Sequence, residues 1–124
     1  MIIFYADDDK DDRDIFLDIL QEINPSFKLV IAKNGEEALE ILQRAEKPLP
    51  DIIFLDINMP KMDGFQTLIE IRKSKRLKNI KVVMYSTTID PKSVSSYKDL
   101  NILFLKKPRT RRDAREGLME IMKE

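Results

Sequence analysis

Short apolar runs recur along the chain, and each is followed by a longer segment with helical spacing of its apolar residues. The runs lie at residues 2–6, 29–32, 52–55, 80–85 and 102–105. In the segments between them, apolar positions recur three and four residues apart, which predicts amphipathic helices. Because the runs are almost continuously apolar, we expect strands buried on both faces. Repeated strand–helix units predict a doubly wound α/β domain, a five-stranded parallel sheet with helices on both faces.

Local signals set the ends of the predicted helices. These helices cover residues 10–23, 34 to the prolines near 48, the segment after 64, 91 to about 98, and 110–123. Asn34 is the predicted N-cap of the second helix, with Glu37 three residues later, as in a capping box. Asp90 is the predicted N-cap of the fourth, followed by Pro91 at the first helical position. This predicted fourth helix, from residue 91 to about 98, is short and rich in serine.

The same spacing predicts which helical residues face the sheet. The inward residues are Ile15, Phe16, Ile19, Leu20 and Ile23 in the first helix, Ala38, Ile41, Leu42 and Ala45 in the second, Phe65, Leu68 and Ile69 in the third, and Ala114, Leu118, Ile121 and Met122 in the last. Each set forms one stripe on a helix surface. We expect these stripes to form the core with the strands.

Composition is typical of one globular domain, residues 1–124, and we expect no output domain. Of the residues, 43% are hydrophobic and 35% are charged. Lys and Arg number 22, as do Asp and Glu, so the net charge of zero supports neither nucleic acid nor an acidic membrane as a partner. The apolar runs are far shorter than the roughly 18 residues of a membrane span. The first residues lack signal-peptide features, and we expect a cytoplasmic protein.

Two residue types with versatile chemistry are missing from the chain. It contains no cysteine, which excludes disulfides, thiolate nucleophiles and cysteine zinc sites. It contains no histidine, which excludes Ser-His-Asp catalysis and histidine-ligated metals. If a phosphohistidine takes part in its function, that histidine must belong to another protein.

Polar residues follow four of the five predicted strands. Asp7-Asp8-Asp9 follow the first strand, Asp56 the third, Ser86-Thr87-Thr88 the fourth and Lys106-Lys107-Pro108 the fifth. The carboxyl ends of parallel strands share one edge of a sheet, where ligands bind. Two carboxylates about 4 Å apart repel by roughly 4 kcal/mol at an effective dielectric near 20. A hard divalent cation such as Mg²⁺ would offset that repulsion, and Asp56 could then attack phosphorus as a nucleophile.

Four stretches carry a family resemblance. They are Tyr5-Ala6-Asp7-Asp8-Asp9, Leu55-Asp56-Ile57-Asn58-Met59-Pro60-Lys61-Met62-Asp63-Gly64, Tyr85-Ser86-Thr87 and Leu105-Lys106-Lys107-Pro108. Over essentially the whole chain, the sequence resembles the receiver domains of two-component response regulators, especially single-domain ones of the chemotaxis-regulator kind. The resemblance implies a flavodoxin-like fold with strand order 2-1-3-4-5.

The resemblance also implies a metal and a phosphoryl acceptor. Asp56 would accept the phosphoryl group. Mg²⁺ or Mn²⁺ would be held by Asp8, by Asp56, by the backbone carbonyl of Asn58 and, mostly through water, by Asp7. The protein would be a switch that assists its own phosphotransfer, and possible self-dephosphorylation, rather than an enzyme.

Further roles follow by position. Lys107 would pair with the phosphoryl group, with Lys106 as its outward neighbour, and Ser86 would donate a hydrogen bond to a phosphoryl oxygen. Phe104 would be the aromatic residue that moves when Ser86 moves. Asn58 and Thr88 stand where the family tunes the lifetime of the phosphoryl group.

The implied partners are proteins. A histidine kinase or histidine phosphotransfer protein would donate the phosphoryl group, and an unknown downstream protein would read the changed surface. The chain would be a monomer or a weak dimer. It departs from the family's usual pattern at residues 97–101 and at Arg109, where an aromatic residue is common. Both departures lie on the usual signalling face and affect the prediction of partners.

Alternative functions remain open from the sequence. The chain could be a phosphorelay intermediate that passes the group to a histidine, or a pseudo-receiver that only binds partners. Asp7-x-Asp9 also resembles the nucleophile motif of haloacid-dehalogenase phosphohydrolases, although Asp11 replaces the expected Thr or Val. A basic cluster between residues 106 and 115 is a solvated face, a docking surface for an acidic partner or, with least support, a nucleic-acid contact.

Overall fold

Strands and helices alternate along the chain in the predicted order. The computed structural model describes residues 1–44, 46 and 48–123. The strands are β1 (Ile2–Ala6), β2 (Lys28–Ala32), β3 (Ile52–Leu55), β4 (Lys81–Ser86) and β5 (Ile102–Lys106). The helices are α1 (Lys10–Ile23), α2 (Gly35–Arg44), α3 (Gly64–Lys73), α4 (Pro91–Tyr97) and α5 (Arg111–Met122), with a 3₁₀ turn at Lys98–Leu100.

The five strands form one parallel sheet in the order β2-β1-β3-β4-β5. This order confirms the predicted fold class. In its register, Ala6 of β1 lies opposite both Ala32 and Leu55. The residues that follow β1 and β3 therefore leave the sheet side by side. Among the described residues, no helix is long and apolar enough to cross a bilayer.

Alternate residues of the central strands enter two separate cores. One face of the sheet contributes Ile3, Tyr5, Phe54, Val83 and Tyr85, which pack with Phe16, Ile19 and Leu20 of α1 and with Ala114 and Leu118 of α5. The other face contributes Phe4, Ala6, Ile53, Leu55, Val82 and Met84, which pack with α2 and α3. Burial on both faces explains why these strands are apolar at nearly every position.

Several predicted inward residues lie at the edge of the core instead. Ile15 is 48% exposed because it lies on the rim of a groove between α1 and α5, where no other element covers it. Ile41 and Ile69 are only half-buried, whereas Leu39, Thr67 and Ile71 are buried. Ile23, Ile121 and Met122 are partly buried against the core. Ala45, also predicted to face inward, lies outside the described residues.

The helix caps agree with prediction except in one detail. The Asn34 side chain accepts a hydrogen bond from the Glu37 N–H at 2.8 Å, but the Glu37 carboxylate accepts from Lys33 rather than from Asn34. The Asp90 side chain accepts from the Lys92 N–H at 2.9 Å, and Pro91 opens α4 as predicted. The α3 capping box of Asp63 and Gln66 was not predicted.

Gly64 allows the loop after β3 to fold back against the site. Its N–H donates to the Ile57 carbonyl at 2.9 Å. A Cβ at this position would overlap the backbone oxygen of Asp56 and would lie 2.7 Å from Met84 Cε. Only glycine therefore permits this approach of α3 to the end of β3.

We expect Gly64→Ala to lower the free energy of unfolding by about 1–3 kcal/mol, because the added methyl overpacks against backbone. Gly117→Ala is the matched control, since a Cβ there meets Leu105 at an ordinary 3.5 Å. Gly117 lies within α5, so alanine should stabilise the protein by about 0.5–1 kcal/mol. Urea denaturation measures both changes. Equal effects of the two substitutions would contradict the close approach at Gly64.

Candidate functional site

Three carboxylates converge at the carboxyl edge of the sheet, as predicted. Oxygen atoms of Asp7, Asp8 and Asp56 all lie within 4.8 Å of one another. The sheet sets this arrangement, because the backbone N–H of Asp7 donates to Ala32 and that of Asp56 donates to Ala6 at 2.9 Å. Asp7 is wholly buried, Asp56 is 7% exposed and Asp8 faces solvent. The cluster thus has a buried floor and an open side.

Lys107 supplies positive charge to the same cluster. Its Nζ lies 2.6 Å from Asp7 Oδ2, 3.0 Å from Asp12 Oδ2 and 3.8 Å from Asp56 Oδ2. Its backbone N–H donates to the Ser86 carbonyl at 2.8 Å, which holds the end of β5 beside the end of β4. Lys106 is exposed, so the structure distinguishes the two adjacent lysines as the sequence predicts.

The buried Asp7 carboxylate receives three hydrogen bonds. Oδ2 accepts from the Tyr5 hydroxyl and from Lys107 Nζ, and Oδ1 accepts from the Asp9 N–H at 3.0 Å. Arg13 donates to the Asp7 carbonyl at 2.9 Å. Hydrogen bonds of this kind are the usual means of satisfying a buried charge. Asp7 is therefore held in one orientation.

Sequence reasoning missed two residues of this network, Tyr5 and Asp12. Tyr5 entered only as part of a stretch that carries the family resemblance, and Asp12 was given no role. The alternation of β1 points residues 5 and 7 to the same face, so that pairing had a signal in the sequence. The Asp12 contact with Lys107 spans 95 residues and had none.

Burial and charge alter the acidity of Asp56. Removal of its carboxylate from water has the largest effect, which the positive charge of Lys107 opposes and the negative charge of Asp7 reinforces. Together these influences raise the pKa of Asp56 to about 6. The carboxylate is therefore still mostly ionised at neutral pH, yet it is a stronger base than an exposed aspartate.

The pKa of Lys107 moves in the direction that keeps it charged. Burial alone would lower that pKa, but the hydrogen bond to Asp7 and the charges of Asp56 and Asp7 outweigh burial and raise it. Lys107 therefore remains an ammonium donor throughout the neutral range. Its Nζ also lies 5.7 Å from the centre of the Tyr85 ring.

Ser86 brings a buried hydroxyl to the site. The residue is 1% exposed at the end of β4, and its proximity lowers the pKa of Asp56, although less than burial raises it. Among the described residues, the Ser86 oxygen completes no hydrogen bond of normal geometry. Buried hydroxyls are usually paired, and this one interacts with the Asp56 carboxyl without a well-formed hydrogen bond, so it is positioned to bind a group next to Asp56.

Three other predicted residues lie outside this contact network. Asn58 and Thr88 are exposed in the loops after β3 and β4. Phe104 is half-buried on β5, and its ring centre lies 6.3 Å from that of Phe65. Phe65 in turn stacks on Tyr97 at 4.2 Å. Phe104 thus belongs to an aromatic group beneath α4, separate from the acids.

The donor set fits a hard divalent cation. Carboxylate oxygens from three residues meet in one place, and the exposed side leaves space for water and phosphate oxygens. Mg²⁺ and Mn²⁺ prefer such oxygen ligands. Three carboxylates cluster here and a fourth, that of Asp12, contacts the single lysine of the site, so the site also carries excess negative charge that a cation would neutralise.

Comparison with known proteins identifies the family. The family model described as the response regulator receiver domain matches residues 3–118. The chain belongs to the response regulator receiver domain family. Response regulator Rcp1 of Synechocystis sp. is 31% identical over 117 residues, which cover 90% of this chain and 80% of Rcp1. Another relative is longer: the match to sensor histidine kinase CheAY of Helicobacter pylori is 36% identical and covers 11% of that protein.

Solved receiver structures share the fold. The phosphorylated cyanobacterial phytochrome response regulator RcpA matches with a TM-score of 0.87 at 28% identity, covering 98% of this chain and 91% of RcpA. The Mn²⁺-bound form of Rcp1 matches with a TM-score of 0.84 at 30% identity, covering 97% of this chain and 90% of that chain. The family places this receiver domain in two-component signalling, among switches rather than classical enzymes.

The raised pKa of Asp56 predicts a stability gain on its neutralisation. In the unfolded chain an aspartate titrates near ~4, whereas the folded pKa is about 6. The cost of ionising Asp56 in the folded receiver therefore appears as pH rises from about 4 through 6. We expect metal-free Asp56→Asn to unfold at a higher temperature than the unsubstituted protein at pH 7.5, and at a similar temperature at pH 4.5. If the unfolding temperatures of Asp56→Asn and the unsubstituted protein differed by the same amount at both pH values, this account of the Asp56 pKa would be contradicted.

Proposed function

We propose that this receiver is a phosphorylation-dependent switch whose acceptor is Asp56. The observation that carries the proposal is a nearly buried carboxyl group beside a lysine and two further acids. An oxygen of Asp56 attacks phosphorus, and the bond from phosphorus to the donor breaks as the bond to Asp56 forms. Such transfer depends on position and on neutralisation of charge, and this site provides groups for both.

In this proposal Mg²⁺ or Mn²⁺ is held by Asp8, Asp56 and the backbone carbonyl of Asn58, with Asp7 acting mostly through water. When bound, the metal offsets the charge of the acids and of the phosphoryl oxygens. Tyr5, Asp9 and Lys107 keep Asp7 oriented through the hydrogen bonds described above. Rcp1, which has been solved with Mn²⁺, supports the choice of cation.

Lys107 and Ser86 act on the phosphoryl group from the side opposite the exposed acid. Lys107 Nζ, 3.8 Å from Asp56 Oδ2, needs only a small shift to contact a phosphoryl oxygen. The Ser86 hydroxyl, which completes no hydrogen bond of normal geometry, donates to a second phosphoryl oxygen. Both residues follow strands that lie side by side, so the backbone fixes their separation. Asn58 and Thr88 flank the open side and influence how water reaches the phosphoryl group.

The signal leaves the site through Ser86 and Phe104. When Ser86 shifts toward the phosphoryl group, it vacates space between β4 and the aromatic group, and Phe104 turns inward. No residue of α4 is buried, so few contacts oppose a rearrangement there. A downstream protein then binds or leaves the face formed by α4, β5 and α5. We propose that the chain acts as a single receiver domain, residues 1–124, as a monomer or weak dimer.

The phosphoryl donor is a histidine kinase or a histidine phosphotransfer protein. The chain has no histidine, so the donor histidine belongs to the partner. Passage of the group onward to another histidine is compatible with the same site. The phosphohydrolase alternative has less support, because Asp9 serves as the N-cap of α1 and accepts hydrogen bonds from Asp11 and Asp12. Asp9 is therefore engaged in the helix start rather than available as a second catalytic acid.

Incubation with acetyl phosphate and Mg²⁺ should add one phosphoryl group to the protein. We expect intact-protein mass spectrometry to detect this gain, and EDTA to prevent it, because the uncompensated acids repel the phosphodonor. Asp56→Asn should show no gain under any of these conditions. A Mg²⁺-dependent gain that persists in Asp56→Asn would assign the acceptor to another residue. No gain in folded, metal-binding protein would favour the pseudo-receiver alternative.

Ser86→Ala should slow phosphorylation by acetyl phosphate roughly tenfold, the effect of one lost hydrogen bond to a charged group. The reason is that the Ser86 hydroxyl is proposed to bind a phosphoryl oxygen. Thr87→Ala is the control, since Thr87 is the adjacent residue and is exposed, and its rate should remain near that of the unsubstituted protein. Similar rates for the two variants would remove Ser86 from the proposed site.

A further inference from the structure

Asp12 of α1 contacts the lysine of the site. Its Oδ2 lies 3.0 Å from Lys107 Nζ, and its side chain is 37% exposed. Phe16, one helical turn later, is buried between α1 and the sheet. The packing of Phe16 therefore turns the α1 face that carries Asp12 toward Lys107.

The hydrogen bonds of Lys107 favour the α1 side of the site. Its ammonium group donates to Asp7 at 2.6 Å and to Asp12 at 3.0 Å, whereas Asp56 at 3.8 Å is beyond hydrogen-bond distance. An ammonium group has three donors, and two of them are taken by acids other than the proposed acceptor. A phosphoryl group on Asp56 has to compete with Asp12 for this cation.

We propose that Asp12 is a positioning residue that restrains Lys107 and thereby slows phosphorylation of Asp56. This inference rests on the proposed function. Asp12 holds the ammonium group away from the place where phosphoryl oxygens gather charge, and its own negative charge repels an anionic donor. In the reaction with acetyl phosphate, the bond from phosphorus to the acetyl oxygen breaks, acetate leaves, and an Asp56 oxygen bonds to phosphorus. Loss of the Asp12 charge frees Lys107 to assist that step.

Asp11 offers a matched control within the same helical turn. Its side chain is exposed, its charge acts on the neighbouring Lys10, and it is not among the described acids that pair with Lys107. Asp11→Asn and Asp12→Asn each remove one negative charge from the start of α1. Only Asp12→Asn removes a partner of Lys107. A difference in phosphorylation rate between the two variants therefore reports the contact between Asp12 and Lys107, rather than the electrostatic effect of removing one negative charge.

The test compares the initial rates at which the unsubstituted protein and the two variants gain a phosphoryl group from acetyl phosphate with Mg²⁺. Intact-protein mass spectrometry follows the gain. We expect Asp12→Asn to react about 5-fold faster and Asp11→Asn to stay within roughly 1.5-fold, as for a partly exposed contact and a screened surface charge. Thermal unfolding checks that both variants are folded.

A second readout does not depend on phosphorylation. Proton–nitrogen NMR of the Lys107 ammonium group, assigned with Lys107→Arg, reports how fast its protons exchange with water. We expect faster exchange in Asp12→Asn, because a neutral amide oxygen accepts a weaker hydrogen bond from the ammonium group than a carboxylate does, and no change in Asp11→Asn. Faster exchange in Asp12→Asn would support the proposed restraint of Lys107, because a purely structural role of Asp12 would not change this exchange rate.

The outcomes separate this inference from the function on which it rests. Equal acceleration in both variants, or slower phosphorylation of Asp12→Asn, would overturn the role of Asp12 and leave the phosphoacceptor proposal intact. Unchanged ammonium exchange in Asp12→Asn would likewise overturn it. Failure of the unsubstituted protein to take up a phosphoryl group would overturn the proposed function, and the inference with it.

Discussion

Repulsion among Asp7, Asp8 and Asp56 is the constraint on which the rest of this site depends. Their oxygens lie within 4.8 Å of one another, and two of the three acids are buried, so solvent alone does not screen them. Lys107 and the Tyr5 hydroxyl stabilise the most buried one. Burial, reinforced by the negative charge of Asp7, raises the pKa of Asp56, and the excess negative charge favours a cation at this edge of the sheet.

A layer of packed aromatic side chains supports the acidic cluster. The ring of Tyr5 stacks on that of Phe16 with 4.1 Å between their centres, and the ring centres of Phe16 and Phe54 lie 5.2 Å apart. Aromatic pairs of this kind add about 0.5–1.5 kcal/mol each beyond simple burial. Burial raises the pKa of Tyr5 well above its usual value and that of Tyr85 to about 12. Tyr5 is therefore a neutral hydrogen-bond donor to Asp7 at every physiological pH.

The helices α1 and α4 differ in how much of their surface is buried. On the α1 side, the aromatic layer and the Asp12 contact restrain Lys107. No residue of α4 is buried, and Phe104 on β5 is only half-buried. Fewer packing contacts therefore hold α4 in place than hold α1, which buries Phe16, Ile19 and Leu20.

The sequence by itself determined the fold class, the strand order once the family resemblance was included, and the residues that meet at the carboxyl edge of the sheet. It did so because parallel strands place their ends together whatever the details of packing, and because Asp7, Asp56, Ser86 and Lys107 each lie at or directly after the end of a strand. The family resemblance, rather than the spacing, distinguished Lys107 from Lys106. The alternation of side chains along β1 indicates that Tyr5 and Asp7 lie on the same face, although their pairing was not predicted.

Only the tertiary structure decided which charges pair. The contact between Asp12 and Lys107 depends on how α1 rotates against the sheet, and that rotation follows from the packing of Phe16 rather than from spacing. For the same reason Ile15 lies on the rim of the groove although its spacing predicts burial. Periodicity defines a stripe on a helix, but the edge of that stripe is buried or exposed according to what the neighbouring helix covers.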